Sequence, residues 1–300
     1  MTHHSSSEAD HASTTPRRAL VLGGAGSAGN AWLIGLIAGL QEAGVDLTTA
    51  DLTIGTSAGA TTAAQITAAS PSALLDAILT APAASARRSR PPGAPDPLAA
   101  RDAIIAASAD PADMRRRLGA AALAEDASRG AEHTPRWRAL VASRLPRPEW
   151  PAQRVVITAV DARTGDPVLL DRGSGVELVD AVAASCSSGI AYRIGEDRLI
   201  DGGFRTNSVN ADLAAGAERA LVLSPFGDRS RVPREWAQDL PAQIAALRAA
   251  GTVVETVFPG PEALDAFGDD VMSPAARLPA AVAGRGQGRA LAPRLREFWS

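Results

Sequence analysis

Residues 19–29 read ALVLGGAGSAG and residues 52–59 read LTIGTSAG, and these two stretches decide the fold. Ala19–Leu22 is a short apolar run that ends in glycines. After it, residues 30–43 carry Trp32, Leu33, Leu36, Ile37 and Leu40 at helical spacing, and Gly44 stops that helix. Leu52–Ile54 is a second apolar run, closed by Gly55-Thr56-Ser57-Ala58-Gly59 and followed by an Ala/Thr-rich helix to about Ala69. Strand, glycine turn and helix thus occur twice in succession. A βαβα order predicts a parallel sheet joined by right-handed crossovers, an α/β fold.

Outward from these corners, Val155–Val160 predicts a strand and Pro167–Leu170 its hairpin partner across Arg163-Thr164-Gly165-Asp166. Val176–Ala184 returns to helix, Ala220–Leu223 and Val253–Phe258 add strands, and a helix is expected around residues 274–297. Residues 1–16 hold almost nothing to bury and are expected to be a disordered tail. The rest, 17–300, is expected to be one domain. Within it, 82–97 is a Pro/Arg-rich surface loop, 98–150 a helical cap and 229–300 a C-terminal helical extension.

Composition excludes several functions. The 300 residues are 46% hydrophobic, enough for a full core, and the net charge of −3 leaves no basic surplus for nucleic acid. All 30 basic residues are arginine, which removes Schiff-base lysine chemistry and a P-loop lysine. The single Cys186 forms no internal disulfide and no thiolate metal cluster, and it is expected to be a buried packing residue. The N-terminus has no apolar h-region and no window spans a bilayer, so a cytoplasmic protein is expected.

Three motifs carry chemistry. The glycine box 23–29 lets backbone N–H groups approach an anion at a helix N-terminus. Read as G-x-G-x-x-G, it suggests a dinucleotide-binding oxidoreductase with Asp46 or Asp51 on the ribose; read otherwise, it is an oxyanion hole. Gly55–Gly59 matches G-x-S-x-G, a sharp turn that exposes the Ser57 hydroxyl, although Ser57 could also be a plain helix N-cap. A serine nucleophile needs a base. His3, His4 and His11 lie in the expected tail, and only His133 lies within the domain, too early for the Ser…Asp…His order of α/β-hydrolases. The base is therefore expected to be a carboxylate, and Asp201 in Leu199-Ile200-Asp201-Gly202-Gly203 is the best candidate, although Asp-Gly is also a hairpin signal.

Taken in order, the glycine box 24–29, the Gly55–Gly59 elbow and Asp201-Gly202-Gly203 resemble the patatin-like phospholipase family, as does the phrasing of 31–45, 181–186 and 210–213. The resemblance implies a three-layer α/β/α sandwich with a mostly parallel central sheet. It also implies a Ser–Asp dyad that hydrolyses lipid acyl esters without metal or organic cofactor. Carried over by position, Ser57 is the nucleophile, Asp201 the general base, and the amides of Gly24, Ala25 and Gly26 the oxyanion hole; Gly29, Gly55, Gly59, Gly202 and Gly203 are the motif glycines. The implied partner is a lipid or acyl-ester substrate, met at a peripheral membrane surface. Ala25 and Ala28 stand where members commonly carry glycine and arginine, so a weakly active or non-catalytic lipid-binding relative is a further alternative. If position 25 required a positive φ, its alanine would be strained.

Overall fold

The computed structural model describes residues 17–82, 97–129 and 131–300. The expected tail, with His3, His4 and His11, and nearly all of the expected loop 82–97 lie outside the described residues. The chain runs β1 (Arg18–Leu22), α1 (Gly26–Glu42), β2 (Leu52–Gly55), α2 (Ala58–Ile66) and α3 (Pro71–Leu79). Then come α4 (Pro97–Ala106), α5 (Pro111–Arg129), α6 (His133–Ala142), β3 (Arg154–Asp161), β4 (Pro167–Leu170) and α7 (Leu178–Ser185). The hairpin β5 (Tyr192–Ile194) and β6 (Asp197–Asp201) is next, then β7 (Arg219–Leu223), α8 (Leu240–Ala249), β8 (Val253–Val257), α9 (Pro261–Phe267) and α10 (Arg277–Trp299).

The strands form one sheet in the order β5-β6-β3-β2-β1-β7-β8, with β4 paired to β3. The pairs among β3, β2, β1, β7 and β8 are parallel; β4, β5 and β6 run antiparallel. Both faces are covered, as a parallel sheet requires. Leu20 and Leu22 of β1 enter a core shared with α1, α2, α7 and α10, whereas Ala19 and Val21 face the other way into a core shared with α8. At the antiparallel end, Val160 and Ile200 pack on Met114, Leu118 and Ala122 of α5. The result is a three-layer α/β/α sandwich.

α1 begins at Gly26, four residues before the expected start at residue 30, because the glycine box itself winds the first turn. It is apolar nearly all round and buried, which a helix tolerates only when neighbours cover every side. α10 supplies that cover. A Cβ at Gly35 or Gly39 would collide with the carbonyls of Ala281 or Arg285, and one at Gly284 or Gly288 with those of Trp32 or Leu36. The two helices meet backbone to backbone. The strand expected at 253–258 is found as Val253–Val257, a member of the central sheet beside β7, and α10 completes the core over α1. Among the described residues no helix is long and apolar enough to cross a membrane.

Candidate active site

The sheet brings together two residues 144 positions apart. β2 runs parallel to β3 and ends with Gly55 opposite Ile157, while β6 runs antiparallel to β3 and ends with Asp201 opposite Ala159. The ends of β2 and β6 therefore converge within two residues on β3, and Ser57, just past β2, reaches Asp201, the last residue of β6. Ser57 Oγ donates to Asp201 Oδ2 at 2.9 Å.

The elbow holding Ser57 is tight for a steric reason. Ser57 has φ 53°, in the left-handed region where a non-glycine residue is strained by about 1–3 kcal/mol. A Cβ at Gly59 would collide with the Leu22 carbonyl oxygen, and one at Gly55 would lie 2.6 Å from the Ala60 Cα. Glycine at both flanks lets α2 start directly against the ends of β1 and β2. The Ser57 amide donates to Ser185 Oγ at 2.9 Å, which leaves the Ser57 hydroxyl to Asp201 and rules out a plain N-cap role.

Asp201 is buried, 7% exposed, and accepts from the Gly203 amide through Oδ1 at 2.8 Å. Burial pushes its carboxyl up to about 6, against the pull of the Gly203 amide, the Ser57 hydroxyl and the charge of Arg101. A carboxyl placed there is a poised proton acceptor near neutral pH. A Cβ at Gly202 would collide with Thr158, so this glycine allows the chain to turn close against β3. Cys186 sits just after α7 at the edge of the core; burial and then the Asp201 charge push its thiol up to about 12. Such a thiol is inert at neutral pH. His133 opens α6, and burial followed by the Arg129 charge lowers its pKa; Ser57 and Asp201 bond each other and not this ring.

The glycine box lies against this pair. A Cβ at Gly24 would come within 3.0 Å of Ser57 Cβ, and Gly29 packs on Ala25 and Pro225. Of the three amides expected to form an oxyanion hole, Gly24 is taken: it donates to the Ser208 carbonyl at 2.7 Å, because the box enters as extended chain beside residues 208–209. The Ala25 and Gly26 amides precede the hydrogen-bonded turns of α1, where helix N–H groups are left without an intrahelical acceptor. Ala58, first in α2, offers another such amide. Ala25 has φ −173°, extended backbone that any residue adopts, and the positive φ of 59° falls on Gly26 instead. The Ala28 amide donates to the Val271 carbonyl, so the segment before α10 caps this turn of α1.

The dinucleotide reading is corrected by the two acids it needs. Asp51 Oδ2 accepts from the Arg18 amide at 2.8 Å, at the end of β1 opposite the glycine box. Asp46 Oδ1 caps the turn at 47–49 through the Thr48 amide. Neither faces the box.

Behind the pair sits a buried polar network that the sequence reading did not assign. Asn210, fully buried at φ 57°, donates through Nδ2 to the Gly202 carbonyl and to Thr56 Oγ1, both at 2.9 Å, and Thr56 Oγ1 lies 3.0 Å from Thr158 Oγ1. One amide thus ties the residue before Ser57 to the residue after Asp201. Thr158 was legible as a lone hydroxyl in an apolar strand, and Asn210 only as part of a family-like phrase. Asn210→Ala strands these buried acceptors and puts alanine in a left-handed conformation. It is expected to destabilise the fold by about 2–4 kcal/mol, read from urea denaturation midpoints. A change below about 0.5 kcal/mol would remove Asn210 from this role.

An α/β/α sandwich with a serine elbow and a glycine box at neighbouring strand ends defines the class of this chain. A family model described as patatin-like phospholipase matches residues 20–215, and the chain belongs to that family. Seven chains of solved structures match. One, titled "Crystal structure of type III effector protein ExoU", is 14% identical with a TM-score of 0.36 over 93% of this chain and 53% of that one. This chain therefore spans about half the length of that relative. No curated protein matches this sequence.

Proposed function

We propose that this chain is a serine acyl-ester hydrolase acting on lipid esters, with Ser57 as nucleophile and Asp201 as its only base. The hydrogen bond between them, on a strained elbow and to a buried carboxylate, is the observation that carries this reading. As Ser57 Oγ attacks the ester carbonyl, its proton passes to Asp201. The negative charge on the carbonyl oxygen is met by the open amides of Ala25 and Gly26 at the positive end of α1, with Ala58 beside them. Collapse expels the alcohol, which takes the proton back from Asp201. Water then gives a proton to Asp201 as its oxygen bonds the acyl carbon; the Ser57 Oγ–acyl bond breaks, Ser57 Oγ takes that proton from Asp201, and the fatty acid leaves with both residues restored. An expected encounter at a membrane surface is part of the same proposal.

The pH dependence has a definite sign. The base works ionised and protonates as pH falls through about 6, so kcat/KM is expected to fall on the acid side of that value. An imidazole near ~6.5 gives almost the same limb, so the profile alone does not separate the two bases. Removing every histidine does. Replacing His3, His4, His11 and His133 with glutamine in the full chain is expected to leave p-nitrophenyl ester hydrolysis within about twofold of wild type, with the acid limb in place and Ser57 still labelled by a fluorophosphonate. A folded histidine-free protein that neither turns over nor labels would overturn the dyad. Turnover at the wild-type rate also separates an enzyme from a non-catalytic lipid-binding relative.

A further inference from the structure

A cavity of about 680 Å³ opens between α1, α3, the end of α6 and the start of α10, within the size range of small-ligand sites. Its walls are mainly apolar, with Ile34, Leu74 and Ile78 inside and Leu278, 46% exposed, at the rim. Two cations line it, Arg144 and Arg277. None of the ion pairs among the described residues involves either side chain.

Arg277 is held by one nitrogen only. Its Nη1 donates to Asn30 Oδ1 at 3.0 Å and to the carbonyl and hydroxyl of Ser27 at 3.3 and 3.5 Å, all neutral oxygens. Nε and Nη2 have no hydrogen-bond partner among the described residues, and neither is sealed from solvent, so a two-donor edge of the guanidinium is left for the cavity. Arg144 lies over the Trp137 ring, 5.8 Å from its centroid, and offers its charge to the same space. Burial, and after it the Arg144 charge, lowers the Arg277 pKa, the mark of a cation set beside another without a counterion. Asn30 and Ser27 belong to the first turns of α1, so Arg277 is anchored on the helix that the glycine box opens.

We infer that this cavity binds an acyl chain bearing an oxyanionic head, with the chain along the apolar wall and the head on the open edge of Arg277 beside Arg144. A phosphate or a carboxylate matches that edge in the bidentate geometry that guanidinium favours. A neutral polar head would leave the half-buried Arg277, with the exposed Arg144 beside it, without a counterion. The inference deepens the hydrolase reading and rests on it for the acyl chain, yet binding needs no turnover.

The test is titration calorimetry on full-length Ser57→Ala protein with decyl phosphate, decanoate and decanol, each below its aggregation threshold. Both anions are expected to bind at least about tenfold more tightly than decanol, and Arg277→Gln to bring the three within about threefold. Arg144→Gln, at a side chain that makes no hydrogen bond or ion pair to α1 among the described residues, is expected to lose part of the same preference, and it decides the matter if Arg277→Gln does not fold. Phosphate binding above carboxylate assigns the subsite to a lipid headgroup; the reverse assigns it to the released fatty acid. Decanol binding as tightly as the anions, or an unchanged preference in folded variants, overturns the inference. A histidine-free protein without turnover would fell the dyad and leave this result standing.

Discussion

Asp201→Asn is expected to lower kcat/KM for p-nitrophenyl esters by roughly 10²–10⁴-fold at pH 7.5 while making the protein harder to unfold at the same pH. The loss comes from chemistry: the amide keeps the shape, can accept from the Gly203 amide and can bond Ser57 Oγ, but it takes no proton. The gain comes from burial. The folded carboxyl titrates near 6 against 3.8 in the unfolded chain, so the native state holds this proton more tightly than the unfolded state does. The contribution of that proton to stability is fully present below 3.8 and is lost as pH rises through about 6. Above that pH the native protein carries a buried charge, and asparagine removes it. The expected gain is about 1–3 kcal/mol at pH 8, shrinking towards zero near pH 4, read from urea midpoints at the two pH values. An active variant would remove Asp201 as base. An inactive variant that is also less stable at pH 8 would show that the carboxylate is stabilising and its burial not costly.

Ser57→Ala is expected to cost at least about 10⁴-fold in turnover and all fluorophosphonate labelling, since no other group can form the acyl-enzyme. Cys186 does not substitute for it, because its thiol ionises only near pH 12. Alanine retains a Cβ at φ 53°, so the elbow strain remains and stability should change little. Ser57→Gly should be equally inactive yet more stable by about 1 kcal/mol, because glycine adopts that conformation freely. The contrast between the two variants separates the chemistry of the hydroxyl from the strain of the turn. Hydrolysis by purified Ser57→Ala protein within tenfold of wild type would remove Ser57 from the mechanism.

Much of this protein is written locally. The corners at 19–29 and 52–59 are legible because a strand that stops on glycines and resumes as a helix is specified by neighbours a few residues apart. The same holds for the β3–β4 hairpin, for β8 and for α10, each near its expected place. The four histidines, three of them within residues 1–16, likewise point to a carboxylate base rather than an imidazole on composition alone. What a linear pattern does not carry is the partner that each polar group finds in space. Gly24 reads like its neighbours in the box, and only the approach of Ser208 occupies its amide. Asp46 and Asp51 sit at plausible spacings, and only the sheet shows them engaged away from the box. Asp201 comes after Ile200 as it would in any hairpin; its burial, its raised pKa and its bond to Ser57 exist because parallel β2 and antiparallel β6 end two residues apart on β3. Turns, periods and exclusions come from short-range sterics and composition. Proton affinity and hydrogen-bond supply depend on dielectric and distance, and those are set by residues more than a hundred positions away.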